Sequence, residues 1–139
     1  MLRHHSCIIA FAAMLVALSP AQAEDTVLTL ACQGTATFPT KENPKVLPIS
    51  TGIVVNLPKR ALEGLETVLS IPVAITSVNE ATIAFQGSKR DETSERSIYG
   101  SIDRVTGDLE ATIMSSLLLV GIRTSMNYAL KCRPTQRMF

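Results

Sequence analysis

Three carboxylates, Asp103, Asp108 and Glu110, crowd around one turn of this chain. Two carboxylates can divide acid and base roles when their surroundings push their pKa values apart. The same spacing fits a plainer use. Asp103 precedes Arg104-Val105-Thr106-Gly107, where its side chain can accept a turn hydrogen bond. Asp108 and Glu110 alternate with Leu109 and Ala111, which puts them on the solvent face of a strand. The expectation is therefore no catalytic residue. Nucleophilic or general-base chemistry by histidine lacks its residue beyond position 5, because His4 and His5 are the only histidines. A zinc site loses its commonest nitrogen ligand for the same reason. Neither Gly-x-x-x-x-Gly-Lys-[Ser/Thr] nor Gly-x-Gly-x-x-Gly occurs, so no phosphate loop and no cofactor is expected.

The histidines stand at the head of a segment with its own signature. Arg3, His4 and His5 make a short basic start, and Cys7 to Leu18 is an apolar run. Ser19-Pro20 breaks it, and Ala21-Gln22-Ala23 has the small-x-small form of a cleavage site. The run is well short of the ~20 residues a membrane span needs. Residues 1–23 are expected to be a cleaved secretory signal peptide, and residues 24–139 a single β domain in the periplasm or secreted. That domain holds twelve Lys/Arg and twelve Asp/Glu. A balanced, scattered charge offers no footprint for nucleic acid.

Cys32 and Cys132 are the cysteines that remain, an even pair in an exported chain, and they read as a disulfide. Leu30-Ala31-Cys32 and Leu130-Lys131-Cys132 each set a Leu and a Cys on one strand face, so the first and last strands are expected to be neighbours. A redox or metal pair is the alternative, but no Cys-x-x-Cys exists.

The elements that must position these residues read as strands. Ile98, Gly100 and Ile102 alternate with polar neighbours, and so do Leu109, Ala111 and Ile113. A four-residue loop, Arg104 to Gly107, pairs Ile102 with Leu109, Gly100 with Ala111 and Ile98 with Ile113. Asp103 and Gly107 suit a type I turn closed by a left-handed residue. Val27 to Thr37 is a strand with Gly34 as a candidate bulge, and Ile49 to Leu57 is a second. Phe38 to Pro48, with three prolines, reads as an exposed loop. Ala61 to Ser70 reads as a short strand, then a loop or a helical turn. Val73 to Ser77 and Ala81 to Ser88 are strands, with Val78-Asn79-Glu80 a turn and Lys89 to Glu95 a solvated tip. Ser125 to Cys132 closes the domain, with Met126, Tyr128, Leu130 and Cys132 on one face. Arg133 to Phe139 is a tail that Pro134 takes out of the ladder. The fold class is all-β: an antiparallel meander of about seven or eight strands. Its adjacent terminal strands suggest a small closed or nearly closed barrel, with a two-sheet sandwich as the alternative.

Three stretches carry a resemblance: Leu30-Ala31-Cys32-Gln33-Gly34, Gly100-Ser101-Ile102-Asp103-Arg104-Val105-Thr106-Gly107, and Leu130-Lys131-Cys132-Arg133-Pro134-Thr135-Gln136-Arg137-Met138-Phe139. The chain resembles a group of small exported bacterial proteins of uncharacterised function over most of residues 24–139. The resemblance supplies no catalytic residues, because none are established for that group. A looser likeness is to bacterial inhibitors of c-type lysozyme, also small exported β-barrels with an early and a late Cys. Their Ser-Gly-x-x-Tyr motif is absent here, so it carries over no site.

These observations point to a non-enzymatic exported binding domain for a protein, a glycan or a small apolar ligand. The competing classes are a hydrolase or lyase using carboxylates alone, and a structural envelope protein with no ligand. Two surfaces are candidates for recognition. One is the proline-stiffened loop with Phe38, Pro39, Lys41, Pro44 and Lys45. The other is the apolar run Leu117 to Val120, with Leu118 at its centre. That run is expected to be buried in a strand, with an exposed binding tip as the alternative.

Overall fold

The structure, a computed structural model, describes residues 26–40, 43–65 and 70–135. Residues 1–25, which hold the expected signal peptide, lie outside that set, as do Lys41, Glu42, residues 66–69 and residues 136–139.

Eight strands follow in chain order: β1 (Val27–Phe38), β2 (Lys45–Asn56), β3 (Ala61–Glu63), β4 (Val73–Val78), β5 (Thr82–Arg90), β6 (Ser94–Asp103), β7 (Asp108–Leu117) and β8 (Ile122–Pro134). Each pairs antiparallel with the next, and β8 pairs with β1, so the sheet is a closed barrel. Closure leaves no strand at an outer edge over most of the wall. Alternation decides which residues fill the interior. Leu30, Cys32 and Ala36 on β1 point inward, with Ile53 and Val55 on β2, Ile83 and Phe85 on β5, and Ile98 and Ile102 on β6. Leu62 on β3, Val73 and Ile75 on β4, Leu109, Ala111 and Ile113 on β7, and Met126, Tyr128, Leu130 and Cys132 on β8 join them, with Leu65 and Ile71 from the β3–β4 connection. The outward positions between them carry Thr29, Gln33, Ser97, Glu110, Thr112, Asn127 and Lys131. This polarity is the reverse of a transmembrane barrel, whose outward band is apolar.

The hairpin read from the sequence forms with the expected register, Ile102 opposite Leu109, Gly100 opposite Ala111 and Ile98 opposite Ile113. Gly107 sits at φ 76° and donates its N–H to the Asp103 carbonyl at 2.9 Å. The Asp103 carboxylate accepts from the N–H groups of Val105 and Thr106, each at 2.8 Å. Those bonds hold its pKa below the ordinary aspartate value. The terminal strands are neighbours, and Cys32 lies directly opposite Cys132 with the sulfurs bonded at 2.07 Å. Cys132 spends its N–H on Gly107 at 2.7 Å, on the β7 side, so it faces β1 as a non-hydrogen-bonded partner. Opposed residues approach most closely at such a site, and the Cα atoms here are 4.0 Å apart.

Several expectations are corrected. The loop assigned to Phe38–Pro48 is shorter: β2 begins at Lys45, and Pro48 pairs with Thr35. β3 joins β2 only from Val54 onward, so at the level of Pro48 half the β2 positions direct their N–H away from any strand. A proline fits there without costing a ladder bond. Gly34 is not a bulge. The register runs through it unshifted, and the irregularity lies instead between Ile75 and Ser77. A Cβ on Gly34 would collide with the Ala129 carbonyl oxygen, so the glycine serves close approach of β1 and β8. Pro134 does not leave the ladder at once. It ends β8 opposite Leu30, and Thr135 still donates its N–H to Thr29 at 2.9 Å. The tip assigned to Lys89–Glu95 narrows to residues 91–93, because Lys89 pairs with Arg96 and Arg90 with Glu95.

The largest correction concerns Leu117–Val120, which is exposed rather than buried. The β1–β8 ladder stops at Thr37 and Asn127, whereas the β7–β8 ladder runs on to Leu117 and Ile122. The end of this hairpin therefore outgrows the barrel. Leu119 is 80% exposed and Leu118 37%.

Candidate binding site

The two ends of the barrel differ in chemistry. At one end lie the β2–β3, β4–β5 and β6–β7 connections, and they are bonded to one another and to the strands. Arg104 donates its N–H to Ala81 and its Nη1 to the Asn79 carbonyl, both at 2.7 Å. Arg60 gives Nε to the Ile75 carbonyl at 3.1 Å and Nη2 to that of Thr76 at 2.8 Å. The Gly107–Cys132 bond and the disulfide sit close to this end. It is a stapled end.

The other end carries the β1–β2, β3–β4, β5–β6 and β7–β8 connections. The β7–β8 tip protrudes here as a finger of Leu117, Leu118, Leu119, Val120 and Ile122, all substantially exposed. Val46 and Leu47 on β2 and Met114 on β7 are exposed at the same end. Of the remaining large exposed apolar side chains, Val27, Val78 and Val105 belong to the stapled end, and Tyr99 to the outer wall. Apolar exposure is thus concentrated around one mouth, and such concentrations mark interaction sites.

Between the β1–β2 and β7–β8 hairpins this end opens into a cleft of about 390 Å³. Phe38, Leu47 and Ile49 form one wall and Ile113 and Met126 the other, with Ser115, Thr124 and Ser125 also bordering it. Ala36 and Tyr128 complete it. The ring of Tyr128 has room because both of its cross-strand neighbours are small, Ala36 on β1 and Ala111 on β7. Tyr128 and Ile49 also border a second cleft of about 240 Å³, with Thr51, Gly64 and Leu65, where the wall thins at the three-residue β3. Tyr128 is 5% exposed, and burial raises its pKa.

The recognition candidates from the sequence converge on this end. Phe38 lines the cleft, Pro39 and Pro44 lie in the β1–β2 connection, Lys45 opens β2, and Leu118 belongs to the finger. Lys41 lies outside the described residues. Asp103 and Gly107 sit at the opposite, stapled end. Asp108 and Glu110 occupy the outer wall, and no buried acid pair forms among the described residues. Asp108 accepts from Lys131 Nζ at 2.7 Å and from Thr106 Oγ1 at 2.6 Å, and both lower its pKa.

Sequence reasoning missed four features. Asn79 and Asp91 cap their turns as Asp103 does. Asn79 accepts from the N–H of Ala81 and of Thr82, and Asp91 from that of Thr93 at 2.9 Å and of Ser94 at 2.7 Å. The Asp91 carboxylate is held well below the ordinary range, first by the Thr93 N–H and then by the Ser94 hydroxyl and N–H. An Asx residue three positions before each following strand is a legible signal for both. The third is the place of Tyr128 on the border of two clefts, which has no signal in its alternation. A further groove on the outer wall, lined by Tyr99, Gly100, Ser101, Glu110, Thr112 and Asn127, was also unforeseen.

The chain matches no family model, no curated protein and no solved structure.

Proposed function

We propose that this chain is an exported, non-enzymatic binding domain that recognises an apolar partner through the open end of its barrel. The observation that carries the reading is the asymmetry of the ends: one is stapled by side-chain bonds and a disulfide, the other opens a cleft beside an exposed apolar finger. Export rests on the signal-like start of the chain, and a disulfide belongs to an oxidising compartment. The motif resemblance to small exported bacterial proteins agrees with this reading. The carboxylates speak for a binder over a hydrolase, because Asp103 and Asp108 are engaged in turn and surface bonds on solvent faces. On a scaffold whose inward residues fill a core, the finger and the β1–β2 loop are the parts left for recognition.

The experiment is a pull-down from the periplasm with residues 24–139, wild type beside the Leu119→Asp/Val120→Asp double variant. A partner retained by the wild type and lost by an equally stable variant supports the reading. A partner retained equally by both, or none retained by either, contradicts it.

A further inference from the structure

The cleft between the two hairpins has an uncharged lining. Among the described residues that line it none is Lys, Arg, Asp or Glu, and its walls are Phe38, Leu47, Ile49, Ile113 and Met126. A charged ligand group placed there would lose hydration with no counter-charge to replace it. Its polar side chains are the hydroxyls of Ser115, Thr124, Ser125 and Tyr128. The Tyr128 hydroxyl has no hydrogen-bond partner among the described residues, although the residue is 95% buried by its 5% exposure. Buried tyrosine hydroxyls ordinarily find a partner. Among the described residues no side-chain nitrogen or oxygen is both fully enclosed and unpartnered, so this hydroxyl is accessible from outside, and Tyr128 borders the cleft. It is an unpartnered donor on a residue that borders the cleft, and burial raises its pKa, which keeps its proton in place.

Resting on the binding reading above, we infer that the cleft holds a small, uncharged, apolar molecule whose one hydrogen-bond acceptor, a carbonyl or ether oxygen, meets the Tyr128 hydroxyl. The cleft volume lies within the range of small-molecule sites, which are mostly apolar with few polar groups fixing orientation. The molecule's chain would lie along Phe38, Ile49, Ile113 and Met126, and Ser115 and Thr124 would border it. The finger stands beside this opening and serves a separate contact.

Two methionines on opposite sides of the wall provide the test. Met126 lines the cleft, and Met114 is exposed on the outer face of β7. The mature, oxidised protein is labelled with [methyl-13C]Met and titrated with 2-octanone and, separately, with 1-octene, a similar chain without the acceptor. The expected result is a saturable shift of the Met126 methyl with Met114 unmoved. Tyr128→Phe, which keeps the ring, should weaken 2-octanone by about fivefold, one neutral hydrogen bond, and leave 1-octene unchanged. Joint movement of Met114 and Met126 signifies unspecific apolar association and overturns the inference. So does the absence of saturation up to the solubility limit, which leaves the cleft to water. Equal weakening of both probes by Tyr128→Phe gives the hydroxyl only a structural role and also overturns it. A saturable Met126 shift indifferent to Tyr128→Phe overturns the acceptor claim alone, while open-end recognition stands or falls by the pull-down.

Discussion

Gly107 and Gly121 both close hairpins with positive φ, at 76° and 65°, yet their surroundings differ, and a matched pair of alanine variants separates two costs. Around Gly121 a Cβ would meet nothing within 4 Å. Gly121→Ala therefore carries only the left-handed penalty of ~1–2 kcal/mol. The less flexible unfolded chain offsets ~0.4–1 kcal/mol of that, leaving about 1 kcal/mol. At Gly107 the same Cβ would collide with the carbonyl oxygen of Cys132, on a strand anchored by the disulfide. Relief requires the turn to move away from β8. That movement gives up the Cys132 N–H bond to Gly107 and strains the Gly107 N–H bond to Asp103, each worth about 1 kcal/mol. Gly107→Ala should thus cost about 3 kcal/mol, roughly 2 kcal/mol more than Gly121→Ala, and Gly107→Val at least as much. Urea denaturation of the oxidised protein reads both, with equal slopes confirming a common unfolded state. Equal costs for the two alanine variants would refute the packing of this turn against β8.

Asp91, Asp103 and Asp108 all have depressed native pKa values. Their contribution is therefore present above the unfolded aspartate value near 3.8 and is lost as pH falls through it toward the native values. The urea midpoint should drop between about pH 5 and 2, less steeply in Asp91→Asn, and a flat profile would contradict the turn assignments. Reducing the Cys32–Cys132 bond, which spans a separation of 100 residues, should destabilise by up to ~4.7 kcal/mol on the chain-entropy model, read as a lower urea midpoint under a thiol reductant. Phe85→Ala, at a fully buried site, should cost about 3–5 kcal/mol, and a loss under 1 kcal/mol would mean that the core is assigned wrongly. Leu119→Asp and Val120→Asp should each leave stability within about 0.5 kcal/mol of wild type, because both side chains are largely exposed.

What could be read from the chain follows from which interactions are local. The hairpin around Asp103 was legible to the residue because its turn chemistry and its two alternating strands agree. The adjacency of β1 and β8 was legible through the cysteines, whose neighbours gave them a common face. The fate of Leu117–Val120 was not, since an apolar run looks the same whether or not a third strand covers it. That depends on the stagger of the barrel, which ends the β1–β8 ladder at Asn127 while β7 and β8 continue. The short β1–β2 loop was obscured for a related reason. Pro48 reads as a breaker until one knows that β3 does not reach that stretch of β2, which pairs on its β1 side alone. The cleft is less legible still, because Phe38, Ile49, Ile113 and Tyr128 come from four strands and meet only after closure.

Two exposed apolar positions at opposite ends of the barrel allow the central claim to be tested in the cell. Leu119 is 80% exposed on the finger and Val105 81% exposed on the stapled end. A benzophenone amino acid placed at one position or the other presents the same reactive group to the surroundings with the same accessibility. After irradiation of intact cells, the mass of the purified chain reports what each end touches, be it protein or lipid. Recognition at the open end predicts a discrete adduct from position 119 and none from position 105. Identical adducts from both positions, or an adduct from position 105 alone, would contradict it.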